Sequence, residues 1–238
     1  MHGINAYGSL TIKIILLRIT TRAEITDKGK NMANNFEKNW TTNNNGYPLN
    51  DKEVERYLSI LPSENQLTLV DKPFYTFMHF GMNTATDREW GAGVEKASDF
   101  TITKINARQW VETARLAGAT GVILTCKHHD GFCLWPTEYT DFCVKNSAYH
   151  GDIVKEVSDE CRKQGMDFGV YLSPWDMHDE RYGTDAYNDY FCNQLTELLT
   201  NYGEIFEVWF DGAKGSNAKK FEYDWQRYYD LIHKLQPK

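Results

Sequence analysis

The sequence has few of the features that mark disulfide-rich, membrane-spanning or nucleic-acid-binding proteins. Its five cysteines are an odd number with no C-x-x-C pair, which argues against a disulfide framework or a zinc knuckle and predicts buried free thiols. The most apolar N-terminal stretch, residues 10–20, is short and contains Lys13 and Arg18, whereas a membrane span needs about 20 apolar residues. Lys and Arg total 26 against 33 Asp and Glu, and this net charge of −7 argues against nucleic acid or an anionic membrane as the main partner.

The same N-terminal stretch lacks the uninterrupted apolar region and small-residue cleavage site of a secretory signal. The sequence therefore leaves the compartment open, and secretion or a periplasmic location of a full-length protein remains an alternative. Residues 31–50 contain eight asparagines, a polar composition that does not bury enough surface to offset the entropy of ordering. We expect residues 1–50 to be a disordered or non-native extension, with Met1 and Met32 both open as the natural start, and residues 51–238 to be globular.

Aromatic residues, in contrast, are abundant. They make up 14 % of the 238 residues, with seven Trp and fourteen Tyr. Their rings combine flat apolar faces with a polar tip, which suits stacking against sugars and other half-apolar ligands. The apolar content of 41 % and charged content of 25 % are ordinary for a soluble globular protein.

A strand–helix unit repeats four times after residue 73. Short apolar runs predict strands over residues 74–80, 121–126, 168–172 and 205–210, and stripes spaced three and four residues apart predict the helices between them. A last stripe runs from Phe221 to Leu235. This alternation predicts an α/β fold with a parallel sheet. A (β/α)₈ barrel is favoured over a doubly wound sheet because no G-x-G-x-x-G turn follows the first strand.

Polar and aromatic residues follow all four predicted strands, the position of the active site in a (β/α)₈ barrel. Two chemistries compete for them. A zinc site is one, but the adjacent His128 and His129 would point to opposite sides of an extended segment. Glycoside hydrolysis is the other; it needs two carboxyl groups, and His, Trp and Tyr would bind the sugar. Each residue also has a structural alternative, such as a turn for Asp211-Gly212 or core packing for His79, Trp110 and Trp225.

Five motifs resemble the α-L-fucosidases of glycoside hydrolase family 29. They are HFGMNT from His79, the pair Glu89-Trp90, KHHDGFCLW from Lys127, YLSPWD from Tyr171 and VWFDG from Val208. The resemblance covers residue 73 to the C-terminus. DREWG together with YLSPWD is most similar to the branch that acts on α-1,3- and α-1,4-linked fucose.

The resemblance implies a retaining mechanism without metal or cofactor, acting on a fucosylated oligosaccharide or glycoconjugate. It makes Asp211 the nucleophile, which a neighbouring His or Tyr donor would keep ionised. It assigns hydrogen bonds with the fucose hydroxyls to His79, Glu89, His128 and His129, with Trp90 and Tyr171 beside them. Phe77 and Trp209 would line the wall near the sugar's methyl group, where an aromatic surface gains apolar burial.

One feature departs from the family. In that family the general acid/base and an Arg of the site lie beyond the nucleophile, and no residue in 213–238 directly follows the end of a predicted strand. We therefore expect the first half of a barrel, four βα units, with the acid beyond Lys238 and little hydrolysis by this chain alone. Unpaired sheet edges would favour self-association. A non-catalytic carbohydrate-binding module and a metal-dependent barrel hydrolase remain alternatives.

Overall fold

The structure, a computed structural model, describes residues 49–72, 74–216 and 218–237. These belong to two compact units, one ending at Pro62 and the other beginning at Ser63. The predicted disordered extension lies outside the described residues except for its last two positions, so its boundary stays a prediction. In the first unit, helix α1 (Asp51–Ser59) begins at a capping box in which the Asn50 side chain accepts from the Glu53 amide and Glu53 accepts from that of Asn50.

The described part of the second unit contains a four-stranded parallel sheet in the order β1-β2-β3-β4. The predicted α/β fold with a parallel sheet is therefore confirmed. The elements follow one another as α2 (Glu64–Val70), β1 (Thr76–Met78), α3 (Met82–Thr86), α4 (Ala107–Leu116), β2 (Gly121–Lys127), α5 (Ile153–Lys163), β3 (Asp167–Leu172), α6 (Asp185–Asn201), β4 (Val208–Trp209) and α7 (Trp225–Leu235).

Helices α4 and α5 pack against β2, α5 also packs against β3, and every residue of β2 is buried. The predicted stripes are buried, with Ile153, Val154 and Val157 on α5 and Tyr187 and Phe191 on α6. Burial of one large aliphatic or aromatic side chain contributes about 1.5–3 kcal/mol, so the stripes hold the helices on the sheet.

Three predicted elements differ from the structure by two or more residues. Strand β1 covers only Thr76–Met78 of the predicted 74–80. Strand β4 pairs over two residues of the predicted 205–210, because only Val208 and Trp209 lie in register with β3. Helix α7 begins at Trp225 rather than near Phe221, since the Asp224 side chain caps it by accepting from the Arg227 amide. The expected core role of Trp225 is wrong, because its side chain is 38 % exposed.

The five cysteines are free and buried, as predicted. Burial raises the pKa of every one of these thiols above its ordinary value, which keeps them protonated and unreactive at neutral pH. We expect the folded chain to react slowly with a disulfide reagent such as Ellman's, and all five thiols to react at once in denaturant. Fast reaction of one or more thiols without denaturant would contradict this packing.

Among the helices that the structure describes, none is long and apolar enough to cross a lipid bilayer.

Candidate active site

The candidate residues meet at the C-terminal ends of the parallel strands. Ring centroids lie 5.7 Å apart between His79 and His128, 5.7 Å between His128 and Tyr171, and 5.6 Å between Tyr171 and Trp209. These rings come from the ends of β1 to β4 in order. The parallel register therefore joins side chains that are more than a hundred residues apart in sequence.

Asp211 follows β4, accepts two hydrogen bonds and lies close to His129. The Tyr171 hydroxyl donates to Oδ2 at 2.9 Å, the Ala213 amide donates to Oδ1 at 2.8 Å, and His129 Nε2 lies 3.5 Å from Oδ2. Burial, and then the hydrogen bond to Asp211, raises the pKa of Tyr171, so its phenol keeps the proton that it donates. The Asp211 side chain remains 22 % exposed. A carboxylate with fixed donors and one open side is suited to nucleophilic attack.

The expectation that His128 and His129 point to opposite sides is wrong. Their ring centroids lie 4.3 Å apart, and both rings border the other candidate residues. Strand β2 ends at Lys127, so the two histidines lie in the following turn, where strand alternation no longer applies. His79, with a core role as its alternative, is exposed.

Aromatic rings form one wall of the site. Phe77 meets Trp209 edge-on at 5.1 Å, and Trp209 stacks on Tyr171 with the ring planes 19° apart. Trp90 contacts His129 edge-on at 5.5 Å and Trp175 at 5.6 Å. Phe77 and Trp209 thus offer an aromatic surface in contact with the fully buried Tyr171 ring, and Trp90 lies against His129.

A cavity of about 510 Å³ opens beside His79 and His128. Glu89, His79 and His128 line it, together with Asn83, Asp87 and Arg88, whereas Asp211 and Trp209 do not. The cavity therefore joins Glu89 to two of the histidines, and the carboxylate of Asp211 lies outside its lining. Residues 49–72, 74–216 and 218–237 contain no group of three or more His, Cys, Asp or Glu placed to hold a metal ion.

Burial is the main cause that lowers the pKa of His128 to about 4, and His129 and His79 lower it further. An unfolded histidine titrates near 6.5, so between the two values the unfolded chain binds more protons and stability falls as the pH falls. We expect the His128 ring, followed by NMR, to remain neutral at pH 5.5. The variant His128→Gln should lose less stability than the parent chain between pH 6.5 and about 4.

The exposed His233 on α7 offers a matched control. We expect His233→Gln to leave the acid dependence of stability close to that of the parent chain. A His128 ring that titrates near its ordinary value would contradict the burial that the structure describes.

The sequence pattern does not single out Asn83, although it lies within HFGMNT. Its side-chain amide donates to Asp130 Oδ2 at 3.0 Å and lies 3.2 Å from His128 Nδ1. Ser173, at the end of β3, lies 2.7 Å from His129 Nδ1. These contacts depend on the turns after β1, β2 and β3, so the sequence indicates them only through the motifs that contain Asn83 and Ser173.

A carboxylate with histidine and aromatic rings at the ends of parallel strands fits the active site of a glycoside hydrolase. The chain belongs to the alpha-L-fucosidase family, whose model matches residues 75–238. It is 52 % identical over 182 residues to Alpha-L-fucosidase 1 of Arabidopsis thaliana, covering 75 % of this chain and 36 % of that protein. The chain thus spans about a third of the length of the curated relatives that it matches first.

Solved structures agree with this family. A glycoside hydrolase 29 family member from a rumen bacterium is 48 % identical with a TM-score of 0.71, over 74 % of this chain and 34 % of that one. A Ruminococcus gnavus GH29 fucosidase in complex with fucose is 38 % identical with a TM-score of 0.69, over 74 % and 41 %.

Proposed function

We propose that this chain forms part of a retaining α-L-fucosidase in which Asp211 is the nucleophile. The observation that carries the proposal is the carboxylate of Asp211, held by Tyr171 and the Ala213 amide beside an aromatic wall. A carboxylate oxygen attacks the anomeric carbon as the bond to the leaving oxygen breaks and that oxygen takes a proton from a general acid. Water then attacks the same carbon, gives a proton to the same group, and releases fucose and Asp211.

The substrate we propose is a terminal α-1,3- or α-1,4-linked fucosyl group of an oligosaccharide or glycoconjugate. His79, Glu89, His128 and His129 hydrogen-bond its hydroxyls, and Trp90 and Tyr171 lie beside the ring. Phe77 and Trp209 take the methyl group, because an aromatic surface there buries apolar area and leaves no sugar hydroxyl unsatisfied. The cavity that Glu89, His79 and His128 share supports the assignment of these three residues.

We further propose that the four strands are part of a (β/α)₈ barrel and that its general acid/base follows Lys238. The support is the family resemblance, in which the acid lies beyond the nucleophile. The strand-end site fits such a barrel, whose active site lies at that face.

A comparison of two substrates tests this function. An aryl α-L-fucoside with a good leaving group needs little proton donation, whereas a fucosyl glycan needs an acid. We expect this chain to hydrolyse the glycan about 10²- to 10⁴-fold more slowly than a longer chain with the acid, and to lose less on the aryl fucoside. Equal turnover of the glycan by both chains would overturn the position of the acid. Fucose binding without turnover of either substrate by the longer chain would favour the carbohydrate-binding module instead.

A further inference from the structure

The two adjacent histidines have different partners at the same ring nitrogen. Nδ1 of His128 lies 3.2 Å from the side-chain nitrogen of Asn83. Nδ1 of His129 lies 2.7 Å from the hydroxyl oxygen of Ser173. A neutral imidazole carries its proton on one nitrogen only, so each partner decides which nitrogen that is.

Asn83 acts on His128 as a donor. Its amide nitrogen also donates to Asp130 Oδ2 at 3.0 Å, while Asp130 Oδ1 accepts from the Phe132 amide at 2.8 Å. When Asp130 is ionised, the reverse orientation of the Asn83 amide would place its oxygen against that carboxylate. The second amide hydrogen therefore points at His128 Nδ1, which accepts it with a lone pair, and the ring proton of His128 lies on Nε2.

The close approach of Gly91 keeps this pair in place. A Cβ atom at Gly91 would lie 2.9 Å from the Asp130 Cβ and 3.0 Å from the Asn83 oxygen, and its φ of +79° is itself in the left-handed region. The backbone of Gly91 thus packs directly against the two side chains, and a larger residue would displace them.

Ser173 acts on His129 as an acceptor. Its only hydroxyl hydrogen is donated to the Trp175 carbonyl at 2.6 Å, so the oxygen offers a lone pair to His129. His129 Nδ1 donates to that lone pair, and in the neutral ring Nε2 has no proton. Burial is the main cause that lowers the pKa of both rings, which favours their neutral forms.

We propose that Asn83 and Ser173 are positioning residues that hold His128 and His129 in opposite neutral tautomers. The pair then presents one donor, Nε2–H of His128, and one acceptor, Nε2 of His129. A sugar binds it with one hydroxyl that accepts and one that donates. That ligand assignment rests on the proposed function, whereas the tautomers do not. Tyr171, and not neutral His129, then donates to Asp211 Oδ2.

Long-range ¹H–¹⁵N NMR spectra of the chain with labelled histidine report which ring nitrogen is protonated, without any substrate. The spectra must be recorded well above pH 7, so that Asp130 is ionised. Burial is the main cause that raises the pKa of Asp130 to about 7, and Asp176 and Glu95 raise it further. We expect Nε2–H for His128 and Nδ1–H for His129. His178 is an internal reference, because its Nδ1 lies 3.2 Å from the Gly93 carbonyl and must donate. The same tautomer in both rings of the pair would overturn the proposal.

Two variants assign the cause. Asn83→Leu removes the donor to His128, and we expect that ring alone to become a mixture of tautomers. Ser173→Ala removes the acceptor from His129, and we expect the change in that ring alone. An unchanged His178 signal checks the fold in both cases. If a variant keeps the His178 signal and the histidine beside the substituted residue keeps its tautomer, the positioning role of that residue is overturned. A failed hydrolysis assay with opposite tautomers would overturn only the proposed function.

Discussion

We expect the Asp211→Ala variant to form no covalent fucosyl adduct, whereas the parent chain should form one on Asp211. The replacement removes the carboxylate that Tyr171 and the Ala213 amide hold at the end of β4. Without a nucleophile the covalent bond of the first retaining step does not form. In a serine protease, loss of the nucleophile lowers kcat by about 10⁶-fold. Intact-protein mass spectrometry after incubation with a 2-fluoro fucosyl fluoride measures the adduct.

This reagent tests the nucleophile independently of the general acid. Fluoride leaves without a proton, so the first step does not depend on an acid, and the 2-fluoro group slows release of the adduct. Asp230→Ala is the matched control, because Asp230 is exposed on α7 and accepts only from Gln226 among the contacts of the described residues. Equal labelling of Asp211→Ala, or an adduct that maps to Glu89, would show that another carboxylate is the nucleophile.

Lys127→Met should lower the free energy of unfolding by about 3–5 kcal/mol, because it leaves a buried charge without its partner. The Lys127 side chain is fully buried, and its Nζ lies 3.0 Å from Asp176 Oδ2 and 3.3 Å from the Tyr187 hydroxyl. The ammonium also lies 5.0 Å from the centre of the Tyr190 ring. Met fills a similar volume, so the loss measures the charge more than the packing.

Urea unfolding of the parent and variant chains measures this loss. Lys155→Met is the matched control, since Lys155 pairs with Asp159 on the exposed face of α5, where such pairs contribute about 0.3–0.5 kcal/mol. Asp176 also accepts from the amides of His178 and Asp179, so the unpaired charge would disturb the turn after β3. Equal losses in the two variants would contradict a stabilising role of the buried pair.

Periodicity predicted the repeating elements where local pattern and burial agree. Helices α4 and α5 bury the predicted apolar faces and end before Gly118 and Gly165, and β2 is a buried run one residue longer than predicted. The start of α7 was missed because an Asp cap competes with an apolar stripe that extends further towards the N-terminus. The short β4 was missed because pairing depends on the register of a neighbouring strand.

The candidate site was predictable as a set of residues but not as an arrangement. The motifs around His79, Lys127, Tyr171 and Asp211 identify a fucosidase-like strand-end site, and the parallel sheet brings these strand ends together. The predicted orientation of His128 and His129 was wrong, because the alternation of side chains within a strand ends at Lys127. Their partners, Asn83 and Ser173, come from the turns after two other strands.

The sequence by itself determined the class of fold, the buried thiols and the family, because these depend on apolar spacing and on motifs that are local in the chain. Tertiary structure alone decided that Tyr171 donates to Asp211, that Lys127 is buried with Asp176, and which nitrogen of each histidine is held. Hydrogen bonds need atoms within about 3 Å and correctly directed. Residues tens of positions apart reach that geometry only when strand register and turns are in place.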